Sequence, residues 1–247
     1  MAGYSNQKVF ILYEDEHLLV VKKPFGMESQ RGKSFAMDQE SLLRGYLSSK
    51  TKTDNPYLAV VHRLDRPVAG VMVYAKTKKA AADLSAQLQT ENFSKKYEAV
   101  VSGIVPACEG RLEDYLTADK RTGTTSVSSK ADPLAKKAVL TWKEIAGEEL
   151  KSGEILLPYA SSPSPEGGWH FLSIVLETGR HHQIRAQLSH AGMPIAADVR
   201  YGGAKVHGPR GAIALCAAQL SFRHPITGKY LTFSWNDDTN ITAVTGR

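Results

Sequence analysis

The quartet His62-Arg63-Leu64-Asp65 places a guanidinium and a carboxylate two residues apart. In an extended chain successive side chains alternate, so Arg63 and Asp65 share one side while His62 and Leu64 occupy the other. Such a pair is either a surface ion pair of small energetic value or a carboxylate kept beside a cation for chemistry. A second segment, Gly179-Arg180-His181-His182-Gln183-Ile184-Arg185, supplies two more arginines and two adjacent histidines. If the segment is helical, the two imidazoles point about 100° apart. No Cys, Asp or Glu stands nearby at ligand spacing, so no metal is expected. On that helix Ile184, Leu188 and Ala191 form an apolar stripe, and His181, Arg185 and Ser189 line a neighbouring face.

Strands and short helices must position these groups. Val9 to Tyr13 and Leu18 to Lys22 read as β-rich runs broken by the acidic turn Glu14-Asp15-Glu16 and closed by Pro24. A short helical pattern follows through Leu42, Leu43, Tyr46 and Leu47. Ala59 to Leu64 reads as a strand, Asp65 and Pro67 as a turn, and Val71 to Ala75 as the next strand, so Asp65 lies at a strand end. Thr77 caps a helix whose Ala80, Leu84 and Leu88 form one apolar stripe.

Further strand signals fall at Tyr97 to Val101, Ala138 to Trp142, Phe171 to Leu176, Ile213 to Leu215 and Leu231 to Trp235. Two polar stretches, Asp119 to Asp132 and Pro158 to Gly168, read as loops. The βαβ alternation of doubly wound folds is absent, and no repeat or heptad pattern occurs. The expectation is an α+β fold with a mixed, largely antiparallel sheet and peripheral helices.

The composition limits the possibilities further. The chain has 247 residues, 42% hydrophobic and 23% charged, the proportions of an ordinary globular protein. Its net charge of +6 and pI of about 9.2 suit a polyanionic partner. The longest nearly apolar run, Ala212 to Leu220, is too short to span a bilayer. The opening residues show neither a secretory signal nor a lipidation motif, so a cytoplasmic protein with no membrane partner is expected. Cys108 and Cys216 form no CxxC pair and read as buried thiols.

Taken together, the motifs resemble those of the RluA-type pseudouridine synthases. That family pairs an HRLD segment and a Gly-closed turn, here HRLDRPVAGVMVYAKT, with a GR-x-HQIR segment leading to P-I-x-x-D-x-x-Y-G, here GRHHQIR and PIAADVRYG. Lys96-Tyr97 at the start of YEAVVSG and the opening ILYEDEHLLVVKKP also match, in the same order. The resemblance covers nearly the whole chain.

It implies a cofactor-free RNA uridine isomerase, monomeric, acting on ribosomal or transfer RNA through a central RNA-binding cleft. Residues 1–247 are then one catalytic domain, without the small amino-terminal RNA-binding module of some relatives. Asp65 takes the place of the family's catalytic carboxylate, whether it attacks sugar or base or assists a glycal. A dry site neutralises an isolated carboxylate by raising its pKa, and by resemblance Arg185 is the cation that counters this. Tyr97 resembles the active-site tyrosine whose ring stacks on the target uracil. Arg63 suits a phosphate contact or the gap left by the flipped uridine, and His62, Arg66, Lys96 and His182 complete the candidate RNA-binding set. Lys120, Arg121, Lys130, Lys136 and Lys137 suit RNA backbone or a solvated basic loop. Asp198 and Tyr201 read mainly as shaping the turn after the helix.

The chain departs from the family pattern at Ala69, where Ser or Thr is usual, and at Ala197, where Gly usually precedes the Asp. The first removes a hydroxyl and the second alters what the turn must accommodate. Two other functions fit parts of the pattern. A non-catalytic RNA-binding or RNA-folding protein would keep the basic surface but would not need Asp65. A glycosidase-like hydrolase also cuts at an anomeric carbon, but it normally requires two flanking carboxylates, and only Asp65 has motif support.

Overall fold

Asp15 makes the first chain reversal by accepting the backbone N–H groups of His17 and Leu18, both at 2.7 Å. An aspartate closing its own turn in this way fixes the expected first hairpin. The computed structural model describes residues 9–32, 37–163, 165–209 and 211–237, and the backbone of 242–244. In chain order its first elements are β1 (Val9–Glu14), β2 (Leu18–Lys23), α1 (Gln39–Thr51), β3 (Ala59–Val60), β4 (Ala69–Ala75), α2 (Lys78–Gln87) and β5 (Ser94–Ser102). There follow β6 (Glu109–Asp119), β7 (Thr124–Ser128), β8 (Lys136–Ile145), α3 (Gly153–Ala160), β9 (Trp169–Leu176), α4 (Gln183–His190), β10 (Leu215–Arg223), β11 (Tyr230–Ser234) and β12 (Thr242–Val244).

The chain divides into two compact units, Met1–Lys95 with Ala217–Arg247, and Lys96–Cys216. In the first, β1 pairs antiparallel with β2 and β12, β2 with β4, β3 with the end of β4, and β10 with β11. β10 is the neighbour of β4 on its other side. β2 and β4 are buried at every position, which explains why Leu18 to Val21 and Val71 to Ala75 read as continuous apolar runs rather than alternating ones. Thr77 caps α2 by accepting the Ala80 N–H at 3.2 Å, and Ala80 and Leu84 pack into a core with Val20, Val73, Phe93 and Phe222. The expected apolar stripe of α2 is therefore present.

In the second unit the strand order is β5-β9-β8-β6-β7, with antiparallel pairing throughout. α4 is fastened to this sheet by two buried glutamines. Gln183 Nε2 donates to the Val139 carbonyl at 3.0 Å, and Gln187 Nε2 donates to Asp114 at 2.7 Å. Together the units form the mixed, mostly antiparallel α+β fold expected from the sequence.

Several local expectations are corrected. The stretch Asp119 to Asp132 is largely not loop: β6 runs into it and β7 lies within it, paired from Tyr115↔Ser128 to Asp119↔Thr124. Its threonines are β-branched and suit a strand, and within β6 and β7 only Leu116 and Thr125 are buried, so there is little apolar alternation to read. α3 extends through Pro158. Ala59 to Leu64 is a strand only over Ala59–Val60, and the strand read at Ile213 begins at Leu215. Cys216 is buried as expected, whereas Cys108 is exposed.

Candidate active site

Asp65 sits on a turn whose neighbours are all tied down. Ser29 Oγ donates to the Leu64 carbonyl at 2.9 Å and accepts the Leu64 N–H at 3.1 Å. On the other side, Gly26 N–H donates to the Arg66 carbonyl at 2.8 Å, and Arg66 Nε returns a bond to the Gly26 carbonyl at 3.0 Å. The Asp65 carbonyl accepts the Val68 N–H at 3.0 Å and closes the turn. Gly70 then lets β4 run directly beside Ala217, because a Cβ at Gly70 would stand 2.7 Å from the Ala217 nitrogen. With the backbone held at so many points, the half-buried Asp65 side chain has little freedom to leave its direction.

Burial along the quartet alternates as the sequence suggests, although the backbone there is not a strand. Arg63 is exposed and Asp65 half-buried, whereas His62 and Leu64 are 8% and 7% exposed. His62 faces the core of its unit. Its Nε2 accepts the Val73 N–H at 3.2 Å and its ring meets Phe93 edge-on at 5.5 Å. Burial, reinforced by the charge of Lys95, holds its pKa down to about 3, so the ring is neutral and belongs to the framework. Arg66 is exposed, with its Nε on the Gly26 carbonyl.

Tyr97 and Lys96 lie on β5, opposite Ile174 and Val175 of β9. Lys96 is half-buried and Tyr97 is 7% exposed. The strand thus presents the tyrosine within a packed layer, with its ring direction set by the sheet.

Arg185 lies on α4 between apolar neighbours and is 5% exposed. Asp198, 1% exposed, accepts from it at two points, Nε at 2.6 Å and Nη2 at 2.8 Å. Two parallel bonds to one carboxylate are the strongest arrangement a guanidinium makes with an acid. The Tyr201 ring lies against the face of the same guanidinium, with 4.7 Å from Cζ to the ring centroid. The Tyr201 hydroxyl accepts the Thr125 N–H at 2.8 Å and lies 2.7 Å from His182 Nδ1.

The two histidines are not helical, which corrects the geometry used to set them apart. α4 starts at Gln183, and His182 precedes it in the left-handed region at φ 50°. Their rings stack at 3.8 Å with planes 22° apart. Sequence reading missed the partnership of Asp198 and Tyr201 with Arg185. A signal was present: an arginine flanked by Ile184, Ala186 and Leu188 on a short buried helix needs an acid close by. The turn-shaping role also holds, because the Asp198 carbonyl accepts the Tyr201 and Gly203 N–H groups, both at 2.9 Å. Among the basic candidates, Lys137 is paired with Glu113 at 2.5 Å and Lys130 lies over the Tyr115 ring.

Comparison with known proteins gives a consistent result. A family model described as RNA pseudouridylate synthase matches residues 17–190. "tRNA pseudouridine synthase C" of Pectobacterium carotovorum subsp. carotovorum is 29% identical over 228 residues, covering 90% of this chain and 57% of that protein. "Ribosomal large subunit pseudouridine synthase D" of Zymomonas mobilis subsp. mobilis is 32% identical over 235 residues, covering 90% of this chain and 67% of that protein. The chain therefore spans somewhat over half to two thirds of the length of these relatives. Among solved structures, "Human RNA Pseudouridylate Synthase Domain Containing 1" superposes with a TM-score of 0.67 at 19% identity, covering 99% of this chain and 91% of that one, a likeness of fold. The matched span includes the Asp65 turn, Tyr97 and Arg185, and the chain belongs to the RNA pseudouridylate synthase family.

Proposed function

We propose that this chain is an RNA pseudouridine synthase that isomerises uridine in structured ribosomal or transfer RNA, with Asp65 as the reacting carboxylate. The reaction cuts the bond from ribose to uracil nitrogen, turns the base and rejoins it through C5. It needs no redox partner and no group donor. The observation that carries this reading is the anchoring of the Asp65 turn by Ser29, Gly26 and Val68, since a reacting group must be held in one direction before substrate arrives.

Family resemblance assigns the other roles. Arg185 takes the place of the family's active-site arginine. Tyr97 stacks on the target uracil, and Arg63 fills the stack or holds a phosphate. Lys96, Arg66 and His182 border the RNA. His62, buried against Val73 and Phe93, is read as supporting the Asp65 turn within the candidate RNA-binding set. On this reading both units belong to one catalytic domain, which acts as a cytoplasmic monomer without cofactor or metal.

The test is to map pseudouridine in total RNA from cells with and without the gene, restored by wild type or by Asp65→Ala. Pseudouridines that vanish with the gene and return only with wild type support the reading. Sites that return with Asp65→Ala would instead make the chain an RNA-binding scaffold, and free uracil released from RNA would make it a hydrolase.

A further inference from the structure

The network around Arg185 continues outward to the surface as a run of rings, and its last member has no part in the roles given above. From the guanidinium it passes to the Tyr201 ring, then edge-on to His182 at 5.6 Å, then face to face to His181 at 3.8 Å. His181 is exposed, whereas His182 is half-buried and Tyr201 buried. Neither imidazole is free to turn. His182 Nδ1 is bonded to the Tyr201 hydroxyl, and His181 Nδ1 lies 3.0 Å from Thr125 Oγ1 on β7. The stack also requires His182 to hold φ 50°, a conformation unfavourable for a residue with a Cβ. Strain of this sort persists where the surroundings enforce a particular side-chain direction.

An imidazole locked parallel to a second ring and open to solvent is a surface for a flat partner. Exposed cations stand in the adjoining segments: Arg180 is the preceding residue, and Arg200, bonded to the Thr122 carbonyl at 2.7 Å, tethers the tip of the β6–β7 hairpin. An aromatic face among cations is how proteins take up unpaired nucleotides, with bases stacking on rings and phosphates on the charges.

We propose that His181 is a nucleobase-stacking residue, taking an unpaired base of the RNA on the outer face of the His181–His182 stack. This rests on the reading of the chain as an RNA-modifying enzyme. The base is one other than the reacting uridine, because Tyr97 is the residue assigned to the uridine itself. The contact is held by stacking, so it contributes to affinity and to the choice of site rather than to the chemical step.

The experiment uses the full chain and, as probe, total RNA from cells lacking the gene, with pseudouridine formation and RNA binding measured in parallel. His181→Ala is expected to lower kcat/KM and affinity by about 5- to 150-fold, with kcat within about twofold and the salt dependence of binding unchanged. His181→Phe, which keeps a flat ring but cannot bond Thr125, is expected to restore most of the loss. The proposal is overturned if His181→Ala binds and reacts like wild type. It is also overturned if the loss comes with a shallower salt dependence, which marks a phosphate contact, or if His181→Phe fails as badly as His181→Ala. Should the wild type bind the RNA but form no pseudouridine, the proposed function falls, and the binding series still decides the stacking role. Should it bind none, both fall.

Discussion

Asp198 grips Arg185 along one edge of the guanidinium, through Nε and Nη2, with both side chains almost wholly shielded from water. A buried ion pair adds little over a well-packed apolar pair, because desolvation offsets its attraction. Removing one partner is another matter, since it strands a charge in the interior. Asp198→Ala is therefore expected to destabilise the chain by about 3 to 5 kcal/mol. Chemical denaturation monitored by fluorescence checks this, and a change below about 1 kcal/mol would show the pair to be energetically idle. Arg185→Ala is expected to abolish turnover as well, read as loss of pseudouridine in the RNA-mapping assay.

Ala197 holds φ 65°, and Asp198 follows it directly. A Cβ costs roughly 1 to 2 kcal/mol in this region, partly offset by the greater freedom glycine has when unfolded. Ala197→Gly is expected to stabilise the fold by about 0.5 to 1 kcal/mol. A rise in the unfolding midpoint at unchanged denaturant slope is the result to look for.

Gly70 presents the opposite case. Its φ of 153° and the nearness of the Ala217 backbone leave no room for a side chain. Gly70→Ala is expected to cost about 1 to 3 kcal/mol and to shift β4 at the end that carries the Asp65 turn. A loss of kcat at a temperature where the variant is still folded separates that shift from simple unfolding.

His62 makes stability depend on pH with a definite sign. In the folded chain its pKa is held near 3, whereas an unfolded histidine titrates near 6.5. The unfolded state thus takes up a proton first as the medium is acidified. The stability this group contributes is complete above about pH 6.5 and is lost as pH falls toward about 3, at roughly 1.4 kcal/mol per unit. His62→Gln should flatten this slope between about pH 6 and 4. Equal slopes in the two proteins would mean that some other group carries the dependence.

Much of this was visible in the residues themselves. The Asp15 turn, the Thr77 cap and the apolar stripe of α2 depend on contacts within a few positions, so local pattern finds them. The alternation of burial from His62 to Asp65 was also legible, even though the backbone there is held by Ser29 and Gly26 rather than by a strand ladder. The strand within Asp119 to Asp132 was not, because polar threonines and serines satisfy an exposed hairpin and a loop equally well. The link from Arg185 to Asp198 and Tyr201 escaped for another reason. It spans thirteen and sixteen positions and is made by a turn whose backbone places the acid, so composition points to a buried partner without naming it. The stacked histidines depend on one residue in the left-handed region, which no periodicity reveals.

The first unit is assembled from two separated stretches of chain, with the greater part of β10, from Ala217 on, supplied after the second unit. On the ribosome, the uninterrupted middle portion emerges complete while β4, buried at all seven positions in the finished protein, still waits for its neighbour. A nascent chain that stalls before Ala217 carries that strand as an open, greasy edge, the kind that recruits other strands into aggregates.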